Sequence, residues 1–149
     1  MLVKEAISFK QHRDPKEALD VSLKPLIEEW LEKLKILQFC TINDDLSIDS
    51  NTFIGLMEKI EGTELPYFIK FNKVKGFSCS KNKLTSLRGC PKIVTANFYC
   101  YANKLTSLEG APKEVRRDFI CHNNPGNFTE EDVRAVSNVH GKIEITGEI

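Results

Sequence analysis

Apolar and polar positions fall into a repeated sentence along the second half of the chain. FSCSKNKLTSLRGCPKIV from Phe77 is followed, at a spacing of 21 residues, by FYCYANKLTSLEGAPKEV from Phe98, and FICHNN from Phe119 begins a third copy. Phe77/Phe98/Phe119, Cys79/Cys100/Cys121 and Asn82/Asn103/Asn124 recur in phase, while Leu84/Leu105, Leu87/Leu108, Gly89/Gly110, Pro91/Pro112 and Val94/Val115 recur as pairs. A fixed period of this length predicts a solenoid, each copy a coil that buries its apolar side by stacking on its neighbours. Phe-x-Cys predicts a short strand whose alternate side chains face opposite ways, Phe77 and Cys79 inward, Ser78 and Ser80 outward. Asn82, where the chain leaves that strand, is placed to satisfy backbone groups otherwise buried unpaired, and its equivalents predict a ladder between coils. Gly89 and Gly110 allow a turn on the way back, and Pro91 and Pro112 restrict the chain there.

The flanks have a different texture. Asp14-Pro15 predicts a helix start, and Pro25 a break or second start near Ser22. Leu26, Ile27, Trp30, Leu31, Leu34 and Leu37 then recur at helical spacing opposite Glu28, Glu29, Glu32 and Lys33. This helix is expected to cover the apolar end of the first coil. Phe39–Ile42 and Leu46–Ile48 around Asn43-Asp44-Asp45 predict a hairpin. From Phe53 to Phe71 the chain reads as a degenerate coil, whose Leu65-Pro66 echoes the later turn but lies four residues too far from Phe77. Near the C-terminus Thr129 predicts a helix N-cap, with Glu130, Glu131 and Asp132 in the first turn and Phe128 and Val133 at the hydrophobic-staple positions. Ile143-Glu144-Ile145 alternates as a closing strand would. The expected architecture is thus one α/β domain, 1–149. Residues 1–50 form an N-terminal helical and hairpin cap, 51–126 the coils, and 127–149 a C-terminal helix and strand cap; both ends read as finished.

Composition narrows the function classes. The 149 residues carry 21 basic and 21 acidic side chains, which removes any global electrostatic drive toward nucleic acid or anionic membranes. Lys4 and Glu5 interrupt the place where a signal peptide needs its apolar run, and no stretch approaches a membrane span. Five cysteines, an odd number with three locked to the repeat phase, predict free thiols in a reducing compartment. A cytoplasmic location follows as the expectation, and Asn127-Phe128-Thr129 is then a chance match to a glycosylation acceptor.

Metal and catalytic chemistry find little footing. Zinc wants about four convergent ligands, and a linear ladder of cysteines converges poorly, so core packing is the expected role of Cys79, Cys100 and Cys121. Cys121 and His122, adjacent on a strand, face opposite ways and cannot form a thiol–imidazole pair. Cys90, aligned with Ala111, is expected to be more exposed, with Arg88 and Lys92 near but no base. Asp44, Asp45 and Asp49 lack the glycine and distal glutamate of an EF-hand loop and read as a turn. No catalytic residue, metal site or cofactor is expected. The outward strand rows, Ser78, Tyr99, Ile120 and Ser80, Tyr101, His122, vary between copies and form the candidate protein-binding surface. Lateral packing of tyrosines on a sheet is the plainer account of the same residues. A sheet of three or four strands spans only roughly 15–20 Å, so a strong partner must also touch loops or the N-terminal segment.

Val74, Phe77, Cys79, Asn82 and Leu84 can be laid on the leucine-rich pattern L-x-x-L-x-L-x-x-N-x-L. The FxCxxNKLTSLxGxPxxV units resemble the leucine-rich repeat accessory proteins of tailed bacteriophages. The lead-in Phe9-Lys10, Asp14-Pro15, Ile27 to Leu31 and Thr41 to Asp49 is similar to the one that precedes such repeats. That resemblance implies a short leucine-rich-repeat-like solenoid and no particular reaction. Asn-Lys-Leu-Thr-Ser-Leu also resembles the repeats of secreted bacterial effectors, but no ligase domain follows Ile149, and Gly-Cys-Pro or Gly-Ala-Pro stands in place of their Leu-Pro turn. The implied function is a non-enzymatic, phage-encoded binder of a host protein, one of the host's defences among the candidates. The alternatives are a self-assembling virion component and a single-strand nucleic-acid platform using the tyrosines with Lys81, Lys83, Lys104 and Lys113.

Overall fold

The computed structural model describes residues 23–147; the expected helix start at Asp14-Pro15 lies outside the described residues. Helix α1 (Leu23–Lys33) buries Leu23, Leu26, Ile27 and Leu31. It ends through Lys35, at φ 63°, with the Lys35 amide donating to Glu32 O and the Ile36 amide to Leu31 O. That pair of bonds is the Schellman closure, here made without glycine. A 3₁₀ turn (Leu37–Phe39) leads into β1 (Cys40–Ile42), which pairs antiparallel with β2 (Ile48–Gly55). The hairpin forms as its sequence predicts, with Leu46 in the left-handed region at φ 69°.

Everything after β2 is parallel. β3 (Phe71–Ser78) pairs with β2, and from there each coil carries two short strands in place of one. They are β4 (Ile93–Val94) and β5 (Phe98–Tyr99), β6 (Glu114–Val115) and β7 (Phe119–Ile120), then β8 (Asn138–Val139) and β9 (Ile143–Glu144). The second members stack Phe77 on Phe98 on Phe119 on Ile143, the first members Val74 on Val94 on Val115 on Val139. The result is a mostly parallel-sheet solenoid of about four coils with few helices. Helix α2 (Glu130–Val136) occupies the return path between β7 and β8, so it lies within the stack and β8 and β9 form the last strands. Its predicted start is realised as a capping box: the Thr129 hydroxyl accepts from the Asp132 amide, and Asp132 accepts from the Thr129 amide.

The degenerate first coil is now intelligible. Ile54 stacks on Phe77 and Ile48 on Phe71, 23 residues apart, and the Leu56 amide bonds Ser78 O. Leu65 lies under the turn at Gly89. β2 therefore belongs to both the hairpin and the coils, and a division at residue 50 falls inside one strand.

The core is a single column. Trp30 packs edge-on against Phe71, Phe71 against Phe77, Phe77 stacks on Phe98 at 12°, and Phe98 tilts onto Phe119. Phe71, Phe77, Phe98 and Phe119 are fully buried, each contributing about 2–3 kcal/mol of transfer free energy. The asparagine ladder runs alongside. Asn103 Oδ1 accepts from the Asn82 and Leu84 amides, and its Nδ2 donates to the carbonyls of Cys79, Cys100 and Tyr101. Asn124 and Asn82 repeat the arrangement one coil on and one coil back.

Candidate functional site

The sheet face turned away from the core carries two rows of side chains. Strand register sets Gly55, Ser78, Tyr99, Ile120 and Glu144 side by side. Tyr101 and His122 lie two residues further along, their rings stacked with centroids 4.6 Å apart. Tyr99 meets Tyr101 edge-on at 6.3 Å, and Tyr101 Oη donates to Met57 Sδ at 3.8 Å. The Asn97 amide group donates to Tyr99 Oη within the same coil, and its Oδ1 accepts the Asp118 amide of the next.

Of the six residues expected on this face, the structure brings Tyr99, Tyr101 and His122 together as a half-buried aromatic strip. Ser78, Ser80 and Ile120 were expected to be exposed and are buried. Ser78 sits between Gly55 and Tyr99, under the neighbouring Phe53 and Tyr99 rings. Ser80 Oγ accepts the Tyr101 amide. Ile120 is held between Tyr99 and Glu144. Small or β-branched side chains beside tyrosines are covered by them, so facing away from the core did not bring exposure.

Two residues on the face were not anticipated. Phe53 is 53% exposed and Met57 40%, the largest such exposures among the described residues of this sheet face. Phe53 lies flat over glycine: a Cβ on Gly76 would come within 2.7 Å of its ring, and one on Gly55 within 3.1 Å. It reaches Tyr99 edge-on at 6.3 Å. Between these rings and Met57 and Tyr101 lies a groove of about 330 Å³, with Ser78 in its lining and Lys59 as its charged residue. In the sequence the run Phe53-Ile54-Gly55-Leu56-Met57 is apolar on both alternating faces, so which face is outward was not readable; Gly55 beside Phe53 on its own strand and Gly76 opposite it were the available signal.

The thiols are chemically quiet. Cys79, Cys90, Cys100 and Cys121 are buried. Cys90, expected to be more exposed, is 5% exposed, and a hydrogen bond with Cys79 together with burial raises its pKa. Burial likewise raises Cys100, and pushes Cys40 and Cys121 up to about 11. At Cys40, Cys90, Cys100 and Cys121 little thiolate forms near neutral pH, which disfavours both nucleophilic attack and metal ligation there. Among the described residues no three His, Cys, Asp or Glu side chains converge on a common point. Asp45 and Asp49 spend their oxygens on Ser47, Asn43, Asn72 and the Lys73 amide, holding the hairpin to the first coil. No helix among the described residues is long and apolar enough to cross a membrane.

The fold and face define a short parallel solenoid with an aromatic groove on its sheet. Comparison of the chain with protein-family models, with curated proteins and with solved structures finds no match.

Proposed function

We propose that this chain is a non-enzymatic protein-binding module of the leucine-rich repeat type, and that it docks a partner on the sheet face built by Phe53, Met57, Tyr99, Tyr101 and His122. The observation that carries the reading is Phe53. A phenylalanine half open to water, seated on glycine and continuous with two tyrosines and a methionine, is the composition that interface cores enrich. The resemblance to phage accessory proteins supports a phage origin, action in a host cytoplasm and a host protein as the partner, with modulation by steric cover.

The double variant Tyr99→Ala/Tyr101→Ala tests the face. Affinity capture from host lysate, wild type against the folded variant, is expected to lose its specific partner. Equal capture by both proteins overturns the docking face. A second reading, self-association, is favoured by one observation: β1 covers only Ile48–Ser50 of β2, so the half around Phe53 is paired with β3 on one edge and, among the described residues, with no strand on the other.

A further inference from the structure

The groove on this face has a defined chemistry. Phe53 and Tyr99 form one wall, Met57 and Tyr101 the other, each pair already in contact. Its volume of about 330 Å³ lies at the small end of the roughly 300–1,000 Å³ of ligand pockets, enough for one large side chain and too little for a nucleotide cofactor. Ser78, only 2% exposed, lies in the lining; its Oγ accepts the Ser80 amide at 3.3 Å, and its own proton finds no acceptor among the described residues. A hydroxyl in the lining of the groove can donate to water there or, once the groove is filled, to an acceptor on the ligand. Lys59 is exposed, forms no ion pair with the described residues, and is the one charged side chain among the described residues that line the groove. No carboxylate among the described residues contributes to this lining.

Resting on the docking face proposed above, we infer that the groove receives an extended segment of a partner protein through a single aromatic or large aliphatic side chain with an acidic residue directly beside it. The apolar side chain fills the space between the two walls. A carbonyl of the segment accepts a hydrogen bond from the Ser78 hydroxyl, and the neighbouring carboxylate meets the Lys59 ammonium. A basic residue in that place would face Lys59 with like charge, so the sign of the neighbour is what this groove discriminates.

Fluorescence anisotropy with three labelled Gly/Ser hexapeptides, bearing central Phe-Asp, Phe-Lys or Gly-Asp pairs, tests the assignment. Phe-Asp is expected to bind about fivefold tighter than Phe-Lys, the scale of one exposed ion pair. Gly-Asp is expected not to bind, and Lys59→Glu to reverse the order of the two Phe peptides. Because the wild-type protein alone reports the Phe-Asp to Phe-Lys ratio, the result does not depend on a variant folding. Equal affinities for those two peptides, or an order that Lys59→Glu leaves unchanged, overturn the carboxylate assignment. Absence of binding by either Phe peptide overturns the side-chain anchor. In each of these cases a partner still lost on Tyr99→Ala/Tyr101→Ala would leave the docking face standing.

Discussion

At the residue scale the coil is held by two rows that lie next to each other. Glu58, Lys81, Ala102 and Asn123 all sit at φ 58–59°, and Gly147 at 64°, one at each strand exit. At Lys81, Ala102 and Asn123 this left-handed residue turns the chain so that the following asparagine can reach back to the previous coil. Only the last of the five is glycine. The conformation costs a non-glycine residue about 1 kcal/mol or more, so Ala102→Gly is expected to stabilise the protein by roughly 0.5–1 kcal/mol. Urea unfolding should show a higher midpoint at unchanged slope. Asn103→Ala acts in the opposite sense. It leaves the Asn82 and Leu84 amides without their side-chain acceptor and takes one of two asparagine donors from each of the Cys79 and Cys100 carbonyls, in a place where Asn103 itself is 5% exposed. A loss of about 3 kcal/mol is expected by the same unfolding measurement. The asparagines were legible from their phase alone; the left-handed row was not, because Glu, Lys, Ala and Asn share no chemistry that announces a positive φ.

At the element scale, local rules served well where local bonds close the element. The α2 capping box and the β1–β2 hairpin could be read directly, since each is settled within a few residues. The hairpin also reaches beyond itself through Asp49, which accepts from Asn43, Asn72 and the Lys73 amide. Partial burial works to raise the Asp49 pKa, but the bonds from Lys73, Asn43 and Asn72 outweigh it and hold the carboxyl below its ordinary 3.8. A carboxyl depressed in the folded state contributes stability above the unfolded pKa and loses it as pH falls through the folded one. Stability is therefore expected to begin to fall as pH drops below 3.8, and Asp49→Asn to flatten that fall when thermal midpoints are compared across the acid range. The first strand of each coil's pair, Ile93–Val94 and its equivalents, escaped sequence reading. Two residues are too few to show an alternation, and they become strands only because the coil before and after offers them a register.

At the scale of the whole molecule, the repeat extends past the part of the sequence that displays it. Spacing between stacked positions is 23 residues from Ile54 to Phe77, 21 from Phe77 to Phe98 and from Phe98 to Phe119, and 24 from Phe119 to Ile143. The longer returns are absorbed by the turn around Leu65–Ile69 and by α2, away from the strands, so the ladder stays in register while the sequence loses its rhythm. The open half of β2 bears on assembly as well. As a binder of a foreign partner the chain is expected to be a 17.0 kDa monomer in solution at micromolar concentration. Static light scattering that gave a dimer, dissociated by Phe53→Ser, would move the reading to self-association through β2.

The repeat phase was sufficient to dictate a stacked core, its phenylalanine and cysteine columns and its asparagine ladder, because each depends on identical residues meeting at a constant interval. It could not say which outward residues would see water. That was settled by packing between coils, where tyrosines cover Ser78 and Ser80, and by Gly55 on its own strand and Gly76 on the next, which leave room for the Phe53 ring. Exposure at the face depends on the volumes of side chains more than 20 residues apart in the chain, and no local pattern carries that sum.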